Sequence, residues 1–188
     1  MAEVFCSEFV LGGQRSGKSR RAEAIARRWL DASPAHRAVT IATAQPWDDE
    51  MRERIARHQL DRAERLPGMS TVEEPLALAE AVRQHSRPNT LIVVDCLTMW
   101  LTNLLMPIQG QPADPRGPVQ ALCEAVAAAP GPVVLVSNEI GWGVIPMGRE
   151  VRAFVDALGH ANQALAAVCP RATLMAAGLP LTLKDNHA

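Results

Sequence analysis

At 188 residues, 48% of them hydrophobic and 21% charged, the chain fits one globular domain, residues 1–188, with a full-sized core. A formal net charge of −1 excludes recruitment of a polyanion by bulk electrostatics, so nucleic acid is not expected as a partner. No run approaches the roughly 18 apolar residues of a membrane span and no signal-type leader is evident, so a cytoplasmic enzyme is expected. Cys6, Cys96, Cys123 and Cys169 are scattered without a C-x-x-C pair and read as reduced core thiols.

The first predicted element is an apolar strand over 9–11. It runs into Gly12-Gly13-Gln14-Arg15-Ser16-Gly17-Lys18-Ser19, which satisfies G-x-x-x-x-G-K-[ST], and then into a polar helix over 20–30. This is the order a phosphate-binding loop requires. Glycines let successive N–H groups turn around phosphate oxygens, and the helix N-terminus adds its positive end. Lys18 would reach the terminal phosphates, and Ser19 would offer a hydroxyl to Mg²⁺. A nucleoside triphosphate is the expected ligand.

Further strands are predicted over 38–42, 91–94, 133–136 and 173–176, each a short apolar run of the kind buried on both faces. Helices are predicted over 48–65, 74–84, 120–128 and 149–168, and the Gly/Pro-rich stretch 107–118 reads as a loop. The alternation argues an α/β fold, a single P-loop (RecA-like) domain with a mostly parallel sheet and helices on both faces. Ligands of such sheets gather at the carboxyl ends of strands, which here hold Thr43-Ala44-Gln45, Asp95-Cys96-Leu97-Thr98 and Ser137-Asn138-Glu139. Asp95 stands where P-loop enzymes place the carboxylate of the magnesium shell; the position equally suits a strand-end cap or an ion-pair partner. In the helix over 48–65, His58 lies one turn before Arg62, so imidazole and guanidinium share a face. A neutral imidazole there can attack an α-phosphorus with an arginine steadying the transferred group, or it can be an ordinary packed or solvated side chain.

Taken together the motifs resemble the bifunctional adenosylcobinamide kinase / adenosylcobinamide-phosphate guanylyltransferase family. The resemblance rests on Gly-Gly-Gln-Arg-Ser-Gly-Lys-Ser-Arg at 12–20, Ile-Ala-Thr-Ala-Gln at 41–45, and Asp-Asp-Glu-Met followed by Arg54, Ile55 and His58. It also rests on Asp95-Cys-Leu-Thr leading to Trp100-Leu-Thr-Asn103, and on Ser-Asn-Glu-Ile-Gly-Trp-Gly-Val-Ile-Pro at 137–146. It implies phosphorylation of adenosylcobinamide by ATP or GTP, then transfer of GMP from GTP to adenosylcobinamide phosphate, with Mg²⁺ as cofactor and a homotrimeric assembly. A simple P-loop small-molecule kinase, with no covalent GMP step, is the alternative.

By the same resemblance His58 carries GMP and Lys18 is catalytic. Gly13, Gln14, Arg15, Ser16, Gly17, Lys18, Ser19 and Arg20 wrap the GTP phosphates, and Ala44, Gln45 and Pro46 lie beside the nucleotide. Gln59, Leu60, Asp61 and Arg62 line the guanylyl site, Glu73 contacts nucleotide, and Ser19 and Asp95 attend the metal. Glu73 also suits a carboxylate at a helix start. Trp47, Trp100 and Trp142 are the large flat side chains near the expected cleft, open to a corrin contact or to a core role.

Overall fold

The computed structural model of the chain describes residues 5–46, 49, 52, 53, 57 and 64–186. Seven strands form one sheet: β1 (Glu8–Gly12), β2 (Arg37–Ala42), β3 (Met69–Glu73), β4 (Thr90–Asp95), β5 (Val133–Asn138), β6 (Arg171–Ala176) and β7 (Leu179–Asp185). Their order across the sheet is β3-β2-β4-β5-β1-β6-β7. Six strands run parallel, and β7 closes one edge antiparallel to β6. Five helices lie among the described residues: α1 (Lys18–Ala32), α2 (Leu78–His85), α3 (Leu97–Leu105), α4 (Arg116–Ala127) and α5 (Arg149–Val168).

Alternating side chains send the central strands into two separate cores, as the period of two requires. Ile92 and Val94 of β4 pack with Leu78, Trp100, Leu122 and Leu165 from α2, α3, α4 and α5. Leu91 and Val93 pack on the other face with Val10, Val134 and α1. Burial on both faces is why β4 and β5 read as unbroken apolar runs. Helix α1 turns Ala22, Ile25, Ala26 and Trp29 inward, an i, i+3, i+4, i+7 stripe, and leaves its arginines to solvent or ion pairs.

The helix expected over 48–65 falls largely outside the described residues; Asp49, Arg52, Glu53, Arg57, Glu64 and Arg65, which are described, are helical. Three elements were not anticipated: β3, α3 and β7. The helix expected from 74 begins at Leu78, and α4 begins at Arg116, inside the stretch read as a loop.

One strand, β5, lies between β1, which feeds the phosphate-loop motif, and β4, which ends in Asp95. All three therefore deliver their carboxyl ends to one edge of the sheet.

Candidate functional site

The loop after β1 is shaped by steric necessity. Gly12 has φ 154°, and a Cβ there would stand 2.4 Å from the Met175 carbonyl oxygen and 2.6 Å from Ser16 Oγ. Gly17 has φ 103° and caps α1, where a Cβ would meet Gly178 Cα at 3.2 Å. Only glycine fits both places. Arg15 also holds a left-handed φ of 56°, a conformation a non-glycine residue keeps only under tertiary constraint. Part of that constraint comes from the far end of the chain. The Gly178 N–H, in the turn joining β6 to β7, donates to the Ser16 carbonyl at 2.9 Å.

Gly13, Gln14, Arg15 and Arg20 are exposed at the helix N-terminus, whereas Ser16 and Lys18 are buried. Lys18 Nζ donates to the Gly13 carbonyl at 2.7 Å, so its ammonium already spans the loop. Burial lowers its pKa from the usual lysine value, and nearby Cys96 and Asp95 oppose that shift. The Cys96 thiol is pushed up to about 11 by burial and then by Asp95, so the thiol stands uncharged beside Lys18 at neutral pH.

Ser19, Glu23, Thr40 and Asp95 line a small cavity of about 10 Å³ between α1 and the sheet. Thr40 Oγ1 is buried there without a hydrogen-bond partner. A hydroxyl and a carboxylate facing one space, beside an orphaned hydroxyl, form the all-oxygen setting a hard divalent cation takes, so the residues fit Mg²⁺. No group of three or more His, Cys, Asp or Glu that could hold a metal occurs among the described residues. A cation here would therefore draw its remaining ligands from phosphate and water.

A polar web fixes the neighbouring strand ends. Thr43, just past β2, donates its hydroxyl to the Cys96 carbonyl at 2.7 Å and accepts the Cys96 N–H at 3.1 Å. Asn103 of α3 is buried and donates through Nδ2 to the carbonyls of Thr43 at 2.7 Å and Pro75 at 3.0 Å. These bonds hold the turn bearing half-buried Ala44 and Gln45 and exposed Pro46 against the end of β4. On the other side of β4, Thr98 Oγ1 accepts the Asn138 N–H at 3.1 Å, and Asn162 joins Ser137 Oγ at 2.6 Å to the Asn138 carbonyl at 3.1 Å.

Glu73 ends β3 opposite Ala42, exposed at the same sheet edge. The carboxylate serving the approach to α2 is the next residue: Glu74 Oε1 accepts the N–H groups of Leu76 at 2.9 Å and Ala77 at 2.7 Å. Glu139 turns its carboxylate to the Gly141 N–H at 2.7 Å, and its own N–H donates to the Gly12 carbonyl at 3.0 Å. Asn138 and Glu139 thus shape the loop after β5. Trp100 cannot present a face to a ligand, because it is 1% exposed and its indole N–H donates to the Leu76 carbonyl at 2.9 Å. Trp142 is 77% exposed. His58, Gln59, Leu60, Asp61, Arg62 and Trp47 lie outside the described residues.

The structure thus brings together Lys18, Ser19, Asp95 and the turn at 43–46, with Glu73 at the adjoining strand end. Sequence reasoning missed the parts that hold them: Asn103, the Thr43 clamp and the Gly178 contact. Thr43 and Asn103 sit in segments quoted above as motifs, so position within a motif was the only available signal for them, and Gly178 lies outside those segments.

The comparisons accord with this geometry. Residues 8–183 match the cobinamide kinase / cobinamide phosphate guanyltransferase family. The bifunctional adenosylcobalamin biosynthesis protein CobP of Pseudomonas aeruginosa is 46% identical over 179 residues, covering 95% of this chain and 98% of that protein. The bifunctional adenosylcobalamin biosynthesis protein CobU of Escherichia coli is 36% identical over 187 residues, covering 93% and 98%. Among solved structures, the flagellar accessory protein FlaH of Methanocaldococcus jannaschii superposes with a TM-score of 0.53 at 11% identity, over 96% of this chain and 79% of that one, a likeness of fold alone. The chain belongs to the cobinamide kinase / cobinamide phosphate guanyltransferase family.

Proposed function

We propose that the protein phosphorylates adenosylcobinamide with ATP or GTP and then, through a guanylyl group carried on His58, converts adenosylcobinamide phosphate to adenosylcobinamide-GDP. The observation that carries this reading is the meeting of Lys18, Ser19 and Asp95 at the carboxyl edge of the sheet, in a chain of this family. In the first step the cobinamide hydroxyl oxygen bonds to the γ-phosphorus, the β,γ-bridging bond breaks, the nucleoside diphosphate leaves, and the hydroxyl proton passes to solvent. Lys18 neutralises the oxygens on which charge builds, and the loop amides of 13–19 hold the phosphates in line. Mg²⁺, held by Ser19 and Asp95, would screen the β- and γ-phosphate charge.

In the second step a ring nitrogen of His58 bonds to the α-phosphorus of GTP and pyrophosphate leaves. A phosphate oxygen of adenosylcobinamide phosphate then displaces the histidine, which restores the free enzyme. Arg62, four residues along the sequence, steadies the transferred phosphoryl, and Gln59, Leu60, Asp61 and Glu73 attend the nucleotide. Ala44, Gln45 and Pro46 flank it on the turn that Asn103 fixes. We assign the protein to the cytoplasm and to a homotrimer; the described residues contain no helix long and apolar enough to cross a membrane.

Intact-mass spectrometry after incubation with GTP and Mg²⁺ tests the covalent step. Wild type should gain the mass of one GMP, lost in acid and kept in alkali, and His58→Ala should gain none while still phosphorylating adenosylcobinamide. A wild type that phosphorylates the corrinoid but never acquires the adduct would leave only the simple kinase.

A further inference from the structure

The loop between β5 and α5 is unlike the rest of the surface. Residues 140–148 contain no charged side chain, yet Trp142 (77%), Val144 (96%), Ile145 (77%) and Met147 (95%) lie open to water. Scattered exposed apolar residues need no explanation, whereas a contiguous apolar segment marks a binding surface. The loop is also well anchored. At its start the Glu139 N–H reaches the Gly12 carbonyl at 3.0 Å, and at its end Arg152 donates to the carbonyls of Pro146 at 2.9 Å and Met147 at 2.5 Å. Between loop and α5 lies an open cavity of about 230 Å³.

The Glu139–Gly12 bond joins the start of this loop to the start of the phosphate loop, so two opposed chemistries leave neighbouring strand ends. On one side are Arg15, Lys18 and Arg20 of the phosphate loop; on the other is an uncharged apolar ledge with a flat indole. A ligand matching both is bipartite, with an anionic or phosphate-accepting end and a broad, uncharged, methyl- and amide-edged body. A corrinoid with an aminoalcohol side arm has that form. We infer that the 140–148 loop is the docking surface for the corrin macrocycle, with Trp142 as its main apolar contact and the side arm reaching toward the loop at 13–19. The inference rests on the cobinamide-substrate reading above and adds to it the place where the substrate's body sits. Arg152 holds the ledge in shape and acts as a positioning residue.

Equilibrium binding of adenosylcobinamide to the full chain without nucleotide, together with steady-state kinetics, tests the assignment. Because Trp142 is largely exposed, Trp142→Ala should fold normally; it should weaken corrinoid binding and raise the KM for adenosylcobinamide by about tenfold, with the KM for GTP unmoved. A Val144→Ser/Ile145→Ser double variant should act in the same direction. Unchanged corrinoid affinity in both variants overturns the inference. So does a loss that appears only with a fall in assembly mass by light scattering and is restored at high protein concentration, since the surface would then be a contact between copies. Binding is read without turnover, so a wild type that binds the corrinoid but never phosphorylates it defeats the functional reading alone. A loss of that binding in Trp142→Ala would still support the docking surface.

Discussion

Lys18 shows why the phosphate loop is legible from residues alone while its surroundings are not. The loop's demands are steric and local: two glycines where a Cβ would strike backbone, and an ammonium that can bridge to Gly13. Such demands leave a fixed spacing in the sequence. Asn103 meets a demand just as strict, holding Thr43 and Pro75 by their carbonyls across 60 and 28 positions, but any helix can carry an asparagine. Nothing local distinguishes it. The same contrast separates Trp100 from Trp142: equal as residue types, one is sealed in the core and the other exposed. Because one buried ammonium serves the only phosphate loop in the sequence, Lys18→Ala should lower both half-reactions by at least about 100-fold, the usual cost of removing a preorganised group that stabilises transition-state charge. Separate assays of corrinoid phosphorylation and protein guanylylation check this, and full guanylylation in the variant would mean a second nucleotide pocket.

Among the elements, the missed ones share a physical cause. Helix α3 reads Leu-Thr-Met-Trp-Leu-Thr-Asn-Leu-Leu, apolar nearly all round, because it is wedged between sheet and neighbouring helices and has little polar face to reveal a period. Strand β3 is a short, mostly exposed edge strand without the apolar run that identifies β4. Strand β7 carries Pro180, which only an edge tolerates. Yet β7 bears on the site, since its turn supports the phosphate loop. Ala177 and Gly178 hold φ 52° and 82°, the double left-handed geometry of a two-residue hairpin turn, and the Gly178 N–H binds the Ser16 carbonyl. Gly178→Val should therefore cost about 1–3 kcal/mol by forcing a β-branched residue into that region. It should also weaken nucleotide binding beyond this general loss. Thermal melts with and without GTP separate the two effects: a lower melting temperature with an undiminished GTP-induced rise would mean that the turn supports only the fold.

For the whole molecule, the parallel sheet was legible because its inner strands carry short apolar runs, unbroken through most of β4 and β5, and the edges were not, because β3 and β7 have no such run. The leucines of β7 illustrate this. Leu179 and Leu181 alternate along the strand and share one face, Leu183 follows where the pairing with β6 shifts register, and the three are 70%, 58% and 54% exposed. On an isolated protomer that stripe is an apolar edge open to association, which natural sheets avoid unless the edge is covered. The proposed homotrimer covers it if β7 lies at the subunit contact, leaving the uncharged ledge after β5 free for the corrinoid. Leu181→Glu distinguishes a contact from a tolerated surface leucine. In a free protomer such a surface change stays within about 0.5 kcal/mol, so the variant should remain folded. At a contact it places three carboxylates in an apolar seam, and light scattering coupled to size exclusion should show a shift from trimer mass toward monomer. An unaltered trimer would place the subunit contact on another face and leave the β7 stripe solvent-facing.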